Sequence, residues 1–125
     1  MHEDVRTDKA PAAIGPYSQA VITGDFVFTS GQIPINPLNG EVVTGGIEVQ
    51  AVQAFENLKN VLEASGSNLA NVVKVTVFIK NMNEFSSINN IYSRYFTGMF
   101  PARSCVEVAR LPKDVLIEIE AVAKI

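Results

Sequence analysis

The segment from Phe100 to Ile119 constrains the fold more than any other, because it contains two alternating runs separated by a polar turn. In these runs and just beyond them, apolar residues occupy alternate positions, namely Val106, Val108, Ile117, Ile119 and Ala121. Alternation with a period of two is typical of a strand that buries one face. Because Pro112 and its polar neighbours favour a turn, we predict that the two strands form an antiparallel hairpin.

In that hairpin the apolar side chains would share one face and the polar side chains the other. The polar face would carry a guanidinium, a thiol and three carboxylates, namely Arg103, Cys105, Glu107, Glu118 and Glu120. Such a cluster is a candidate site for binding a small anion and for transferring a proton. The alternative is a solvated face with an ordinary ion pair, which is the commoner origin of such clusters.

Length and composition indicate an ordinary globular protein. The 125 residues predict a single domain over positions 1–125, and 47% hydrophobic residues indicate some apolar surface hidden by self-association. With a net charge of −3 and no run of lysine or arginine, the basic footprint of a nucleic-acid binder is missing. The single cysteine suits a reducing compartment, and we see neither a signal peptide nor a membrane span. We therefore expect a cytoplasmic protein.

Two more strands are predicted in the N-terminal third. Residues 1–13 are polar and are either irregular or an edge strand. Turn residues delimit strands at Tyr17–Ile22 and Phe26–Ile33, which would pair as a hairpin. Gly31 is unusual inside a strand, because glycine there marks either a bulge or a place where another group approaches the backbone.

The middle of the chain changes to helical periodicity. Pro34 to Gly46 is predicted to be a loop. After it, apolar residues fall on one helical stripe until Gly66, which predicts an amphipathic helix that ends at this glycine. A second helix is predicted to begin at a cap formed by Asn81 or Asn83. Its apolar stripe comprises Phe85, Ile88, Ile91 or Tyr92, Tyr95 and Phe96.

Between the helices, the run from Val72 to Lys80 alternates and predicts a strand with its odd-numbered residues facing inward, namely Val73, Val75, Val77 and Ile79. Each helix has only one apolar stripe, so both must cover the same face of a mixed, mainly antiparallel sheet. The opposite face would then be half apolar, with Lys74, Thr76, Phe78, Cys105 and Glu107. We expect that face to pack against other subunits.

Three long motifs in the chain resemble the Rid proteins and, within them, the RidA subfamily formerly called YjgF. They are APAAIGPYSQAV at residues 10–21, FTSGQIP at residues 28–34 and PARSCVEVARLPKDVLIEIEAVA at residues 101–123. The resemblance covers essentially the whole chain. It implies an α+β fold of the chorismate-mutase-like type, assembled as a homotrimer with three active sites between subunits.

The resemblance also implies an activity, the hydrolysis of short 2-imino acids such as 2-iminopropanoate and 2-iminobutanoate to the 2-keto acid and ammonia. This reaction protects pyridoxal-phosphate enzymes. Arg103 would grip the substrate carboxylate through two parallel hydrogen bonds. Glu118 would deprotonate the attacking water and return a proton to the leaving nitrogen. No metal or cofactor is required, and the single histidine, His2, offers no zinc-ligand spacing.

Further residues at matching positions are implied to bind the substrate, namely Tyr17, Ser30, Gly31, Phe85, Asn89 and Cys105. Tyr17 would close the pocket from a neighbouring subunit. Cys105 would contribute backbone groups beside the substrate carboxylate, whereas its thiol is better explained as a small buried group than as a nucleophile. Arg103 near Glu118 should keep that carboxylate ionised.

Two other functions stay open from the sequence. A non-catalytic sensor of keto acids or other small carboxylates would need only Arg103, and its binding would survive the substitution Glu118→Gln. A ribonuclease or translation inhibitor, an activity also attributed to relatives, is disfavoured by the acidic balance of the chain.

Overall fold

The computed structural model describes residues 2–125 and places two helices on one face of a six-stranded sheet. The helices are α1 (Ile47–Ala64) and α2 (Phe85–Tyr95). The strands, in chain order, are β1 (His2–Val5), β2 (Ala20–Thr23), β3 (Phe26–Thr29), β4 (Ile35–Asn36), β5 (Glu41–Val42), β6 (Val72–Ile79), β7 (Ala102–Glu107) and β8 (Ile117–Lys124). The main sheet has the order β1-β2-β3-β8-β6-β7, and β4 pairs with β5 separately.

Both helices form where the apolar periodicity predicts them. The predicted stripe of α1 is buried throughout, at Ile47, Ala51, Ala54, Phe55, Leu58, Val61 and Leu62. Gly66 follows the helix with a φ of +83°, a conformation that favours glycine and ends the helix as expected. Before α2, the side chain of Asn81 accepts a hydrogen bond from the Asn83 N–H and so caps the 3-10 turn Met82–Glu84, which leads directly into the helix. The cap residue of α2 itself is Glu84, whose side chain makes no capping bond, so the predicted cap lies one turn before the helix. On α2 both Ile91 and Tyr92 are buried.

The predicted fold class is confirmed: the sheet is mixed and mainly antiparallel, with both helices on one face. The pair β6 and β7 is parallel, and the other neighbours in the main sheet are antiparallel. The helix-covered face provides the core, with fully buried residues such as Val27, Val75 and Ile119. None of the helices within residues 2–125 is long and apolar enough to cross a membrane.

The predicted hairpin between the last two strands is wrong, because β6 lies between β7 and β8. β7 pairs with β6 in parallel, with Val75 opposite Arg103. β8 pairs with the other edge of β6, with Phe78 opposite Glu118. The helix α2 supplies the crossover that parallel pairing requires, and the segment from Val108 to Leu116 is long enough to pass over the end of β6. Local alternation predicted both strands but could not reveal this neighbour.

The true pairing changes which side chains share a face. Cys105 and Glu107 lie on the helix-covered face, opposite Val77 and Ile79, and not on the opposite face as predicted. Glu107 accepts a hydrogen bond from the Met82 N–H just before α2, at 2.7 Å. The helix-free face does carry Lys74, Thr76 and Phe78, together with the partly exposed apolar residues Phe26, Phe28 and Val106.

Three smaller differences from the sequence prediction have local causes. Val73 is exposed instead of buried, because a register shift between Val72 and Lys74 turns it outward. The predicted loop after Pro34 contains the short β4–β5 ladder. β2 begins only at Ala20, because the buried side chain of Gln19 bonds to the backbone of the preceding loop at residues 7, 10 and 11.

Candidate active site

Arg103 lies on the edge strand β7, on the face of the sheet that the helices cover. Its Nη1 donates a hydrogen bond to Oδ1 of Asn89 at 2.7 Å. Its Cζ atom lies 4.7 Å from the centroid of the Tyr92 ring and 5.4 Å from that of Phe85. All three partners belong to α2, which the parallel crossover from β6 to β7 carries across this strand. One face of one helix therefore holds the guanidinium.

Arg103 has no carboxylate partner among residues 2–125, where the ion pairs join other residues. The N–H groups that do not bond to Asn89 are therefore available to an incoming anion. A guanidinium binds a carboxylate through two parallel hydrogen bonds, which fix both its position and its orientation. The half-buried location of Arg103 reduces screening by water. This geometry is suited to binding a small carboxylic acid.

Glu118 lies on the helix-free face, beside Phe78 of β6. The side chain is half-buried, and this burial raises the pKa of its carboxyl above the ordinary value of 4.5. The negative charge of Glu120 raises the pKa further. Within one chain Arg103 lies on the other face of the sheet and does not offset this rise, so the expectation that Arg103 keeps Glu118 ionised stays a prediction for a site formed between subunits. A carboxyl with a raised pKa is a suitable acid–base group, because its proton affinity is closer to the working pH.

Gly31 provides the space in which the Glu118 carboxylate sits. A methyl group added at Gly31 would overlap the Oε2 atom of Glu118 and the carbons behind it. The group that approaches the backbone here is thus the Glu118 side chain. The neighbouring residue Gln32 fixes the approach, because its backbone N–H and C=O both bond to Ile119 of β8.

Ser30 and Tyr17 lie on the same side of the molecule as Gly31. The Ser30 hydroxyl donates to the Ser18 carbonyl at 2.6 Å and so joins this segment to the loop that carries Tyr17. Tyr17 itself is 52% exposed. A cavity of about 260 Å³ opens beside them, lined by Tyr17, Gly31, Ile14, Ile33, Ile35 and Lys113. Its walls are mostly apolar.

Cys105 lies two residues beyond Arg103 on the same face of β7 and is half-buried. Burial raises the pKa of its thiol, and the nearby charge of Arg103 opposes this rise only in part. A thiol with a raised pKa is protonated at neutral pH, and the thiolate is the nucleophilic form. The side chain therefore has the character of a small buried group.

The predicted site residues thus divide into two groups within one chain. The first group surrounds the guanidinium and contains Phe85, Asn89, Arg103 and Cys105. The second group centres on Gly31: Glu118 packs against it, Tyr17 lines the same cavity, and Ser30 precedes it in the chain. The sequence prediction treated Tyr92 only as a core residue, although its spacing of seven from Phe85 and three from Asn89 places all three on one helix face. Residues 2–125 contain no cluster of histidine, cysteine, aspartate or glutamate arranged to hold a metal ion.

Comparison with known proteins connects this arrangement to one family. Residues 7–125 match the family model described as Endoribonuclease L-PSP. A RutC family protein of Pyrococcus horikoshii is 55% identical over 98% of both chains. The 2-iminobutanoate/2-iminopropanoate deaminase of Escherichia coli K12 is 52% identical over 98% of both chains. The crystal structure of the YjgF gene product of Escherichia coli is 51% identical, with a TM-score of 0.94 over 98% of both chains.

An α+β domain of this topology defines a protein with the chorismate-mutase-like fold, here with an arginine that pairs with no carboxylate among residues 2–125 on one sheet face and a half-buried glutamate on the other. The chain belongs to the Rid family, in the RidA (YjgF) subfamily.

Proposed function

We propose that this protein hydrolyses short 2-imino acids, such as 2-iminopropanoate and 2-iminobutanoate, to 2-keto acids and ammonia. The single observation that carries the proposal is the half-buried Arg103, whose guanidinium has no carboxylate partner within residues 2–125. The activity in the name of the Escherichia coli relative supports the same substrate class. By consuming such imines, the protein would protect pyridoxal-phosphate enzymes from them.

The proposed mechanism uses two side chains. Arg103 holds the substrate carboxylate and thereby fixes the adjacent C=N carbon. Glu118 accepts a proton from a water molecule as the oxygen of that water bonds to the C=N carbon, and the C=N π electrons move to nitrogen. Glu118 then returns that proton to nitrogen, which gives a neutral carbinolamine. Next it takes the proton of the new hydroxyl group and delivers it to nitrogen. The C–N bond breaks with its electron pair on nitrogen, and ammonia leaves as the keto group forms. A positioned acid–base group typically accelerates such a step by ~10²–10⁴-fold, which suits a substrate that already hydrolyses slowly in water.

The site is proposed to form between copies of the chain in a homotrimer. Within one chain Arg103 and Glu118 lie on opposite faces of the sheet, so one substrate cannot contact both of them there. A second copy packed on the helix-free face can bring its Arg103 to the Glu118 of the first. The partly exposed Phe28 and Val106 on that face would then be covered. Tyr17, with half of its surface exposed, would close the pocket from the neighbouring chain.

A keto-acid sensor without turnover is the second candidate, because Arg103 alone can bind a carboxylate. The family model is described as an endoribonuclease, which makes a ribonuclease the third candidate function. The net charge of −3 disfavours this third function, since nucleic-acid binding depends on cationic contacts to phosphate.

The deciding experiment generates 2-iminopropanoate with an amino-acid oxidase and follows ammonia release by the wild type, Arg103→Ala and Glu118→Gln. We expect both variants to lose the acceleration, while Glu118→Gln still binds pyruvate and Arg103→Ala does not. Arg110→Ala is the matched control, because Arg110 pairs with Asp114 in an exposed turn. Full activity in Arg103→Ala would refute the proposal. Pyruvate binding without turnover in the wild type would favour the sensor.

A further inference from the structure

The aromatic ring of Tyr92 forms part of the environment of the Arg103 guanidinium. Phe85, Asn89 and Tyr92 follow each other at helical spacing on the side of α2 that faces β7. Asn89 accepts one hydrogen bond from the guanidinium, at 2.7 Å. The ring of Tyr92 lies closer to the Cζ atom than that of Phe85, at 4.7 Å against 5.4 Å between Cζ and each centroid.

Tyr92 differs from the other two contacts in being fixed by the core. It is 6% exposed, whereas Phe85 and Asn89 are half-buried. Its ring meets Phe55 of α1 edge to face at 5.7 Å between centroids. It also packs against Phe96 at 4.6 Å between centroids. Because Phe55 is completely buried, the Tyr92 ring is a fixed surface on which the long arginine side chain rests.

A ring can hold a guanidinium without occupying its hydrogen-bond donors. A carboxylate in the same place would compete with the substrate for those N–H groups, whereas the negative face of an aromatic ring attracts the cation as a whole. An arginine side chain has many rotamers, and a ligand that must first order it binds more weakly. An arginine held against a ring avoids much of that loss, and the ring takes up none of its N–H groups.

We infer that Tyr92 is a positioning residue, which holds Arg103 by a cation–π contact so that the guanidinium is ordered before the substrate carboxylate arrives. This inference rests on the proposed function, in which Arg103 binds that carboxylate. The face of the ring does this work, and the hydroxyl group is not required. Tyr92→Phe should therefore preserve the positioning of Arg103. Tyr92→Leu, which fills part of the same volume without a π system, should not.

The test measures the affinity for pyruvate by titration calorimetry and the kinetics of imine hydrolysis. Tyr92→Leu should weaken pyruvate binding by ~3- to 30-fold, the range for a cation–π contact that is partly shielded from water. The same factor should appear mainly in KM, with a smaller change in kcat, because the chemical step uses Glu118. Tyr92→Phe should behave as the wild type.

Tyr95→Leu is the matched control. Tyr95 lies on α2, as Tyr92 does, and stacks on Phe55 of α1 at 5.1 Å between ring centroids. The cation–π contacts of the Arg103 guanidinium involve Phe85 and Tyr92 and not Tyr95. The substitution Tyr95→Leu should lower the melting temperature as Tyr92→Leu does, while leaving pyruvate affinity unchanged. Should Tyr92→Leu fail to fold, phenylalanine analogues at position 92 with two or three ring fluorines decide the question. Fluorine weakens the negative face of the ring at nearly constant volume, so affinity should fall stepwise with each addition.

The outcomes separate this inference from the proposed function. Wild-type affinity in the fluorinated series, with binding still lost in Arg103→Ala, overturns the role of Tyr92 and leaves the proposed function intact. Undiminished pyruvate binding in Arg103→Ala overturns the proposed function itself. An equal loss of affinity in Tyr95→Leu and Tyr92→Leu, together with a flat fluorine series, assigns the effect to core packing and also overturns the inference.

Discussion

The guanidinium of Arg103 and the carboxylate of Glu118 lie on opposite faces of the same sheet. Arg103 aligns with Val75 on the face beneath the helices, and Glu118 aligns with Phe78 on the face that no helix covers. Neither charge compensates the other inside one chain. The consequence is that any reaction that needs both groups on one substrate requires them from two copies.

Mixed trimers test this requirement. Arg103→Ala and Glu118→Gln should each be inactive alone, whereas trimers that contain both chains should recover activity, because one chain supplies the arginine and its neighbour the glutamate. Every cyclic trimer that contains both chains has one interface in three with both wild-type groups, so about a third of the sites should be restored. The measurement is ammonia release by co-expressed, differently tagged chains purified for both tags. No recovery in verified mixed trimers would contradict a site shared between two copies.

The raised pKa of Glu118 predicts the acid limb of the rate profile. Glu118 must be ionised to accept a proton, so kcat/KM should fall as the pH drops through the pKa of this carboxyl, which burial and Glu120 raise. Glu120→Gln removes the neighbouring negative charge and should move that limb to lower pH. Glu63→Gln, an exposed substitution near the end of α1, should leave it in place. A limb that does not move in Glu120→Gln would show that Glu118 is not the titrating group.

Glu118 should also destabilise the fold at neutral pH. Because its pKa is raised in the folded state, the folded protein prefers the protonated form. The stability that this residue contributes is therefore fully present below its unfolded pKa and is lost as the pH rises through its folded pKa. In an Arg103→Ala background, where no guanidinium from a neighbouring copy offsets the charge, Glu118→Gln should raise the melting temperature at pH 7 and change it little at pH 4. An equal shift at both pH values would point to packing instead of ionisation.

The contact between Gly31 and Glu118 predicts a steric effect. Gly31→Ala would force the Glu118 carboxylate to move, with a loss of about 1–3 kcal/mol in unfolding free energy and a fall in kcat. Gly98→Ala is the matched control, because a methyl group at Gly98 meets no atom within 4 Å. Chemical denaturation of Gly31→Ala in a Glu118→Ala background tests the cause. The stability cost should largely disappear there, and its persistence would contradict the steric explanation.

The turn before β8 contains two consecutive residues in the left-handed region, Lys113 and Asp114, each with a φ of +55°. At position 113, glycine should therefore be more stable than alanine by about 1 kcal/mol. At Lys59, inside α1, the order should reverse, with glycine less stable by about 1 kcal/mol. Denaturation of the four variants measures both differences. The same sign at both sites would show that the turn is not strained.

The sequence predicted what depends on local periodicity and missed what depends on distant partners. The stripe of α1 and the capping bond of Asn81 follow from neighbours within one or two turns. The stripe was right, and the capping bond forms in the turn just before α2. The hairpin was wrong because strand pairing is decided by burial across the whole sheet, and β6 was the better neighbour for β7 and β8. The same error placed Arg103 beside Glu118. The aromatic surroundings of Arg103 could not be predicted either, because they depend on the path of α2 across β7.

The edge position of β7 bears on how such proteins can diversify. Within residues 2–125 this strand is at the edge of its sheet, so only one neighbouring strand, β6, constrains the backbone around Arg103. The loop that leads into it is open to solvent, with Met99 95% and Phe100 69% exposed. Insertions or substitutions in that loop could reshape the entrance for a new ligand while the arginine keeps its aromatic support. Ligand selectivity can then change during evolution without substitutions in the buried core.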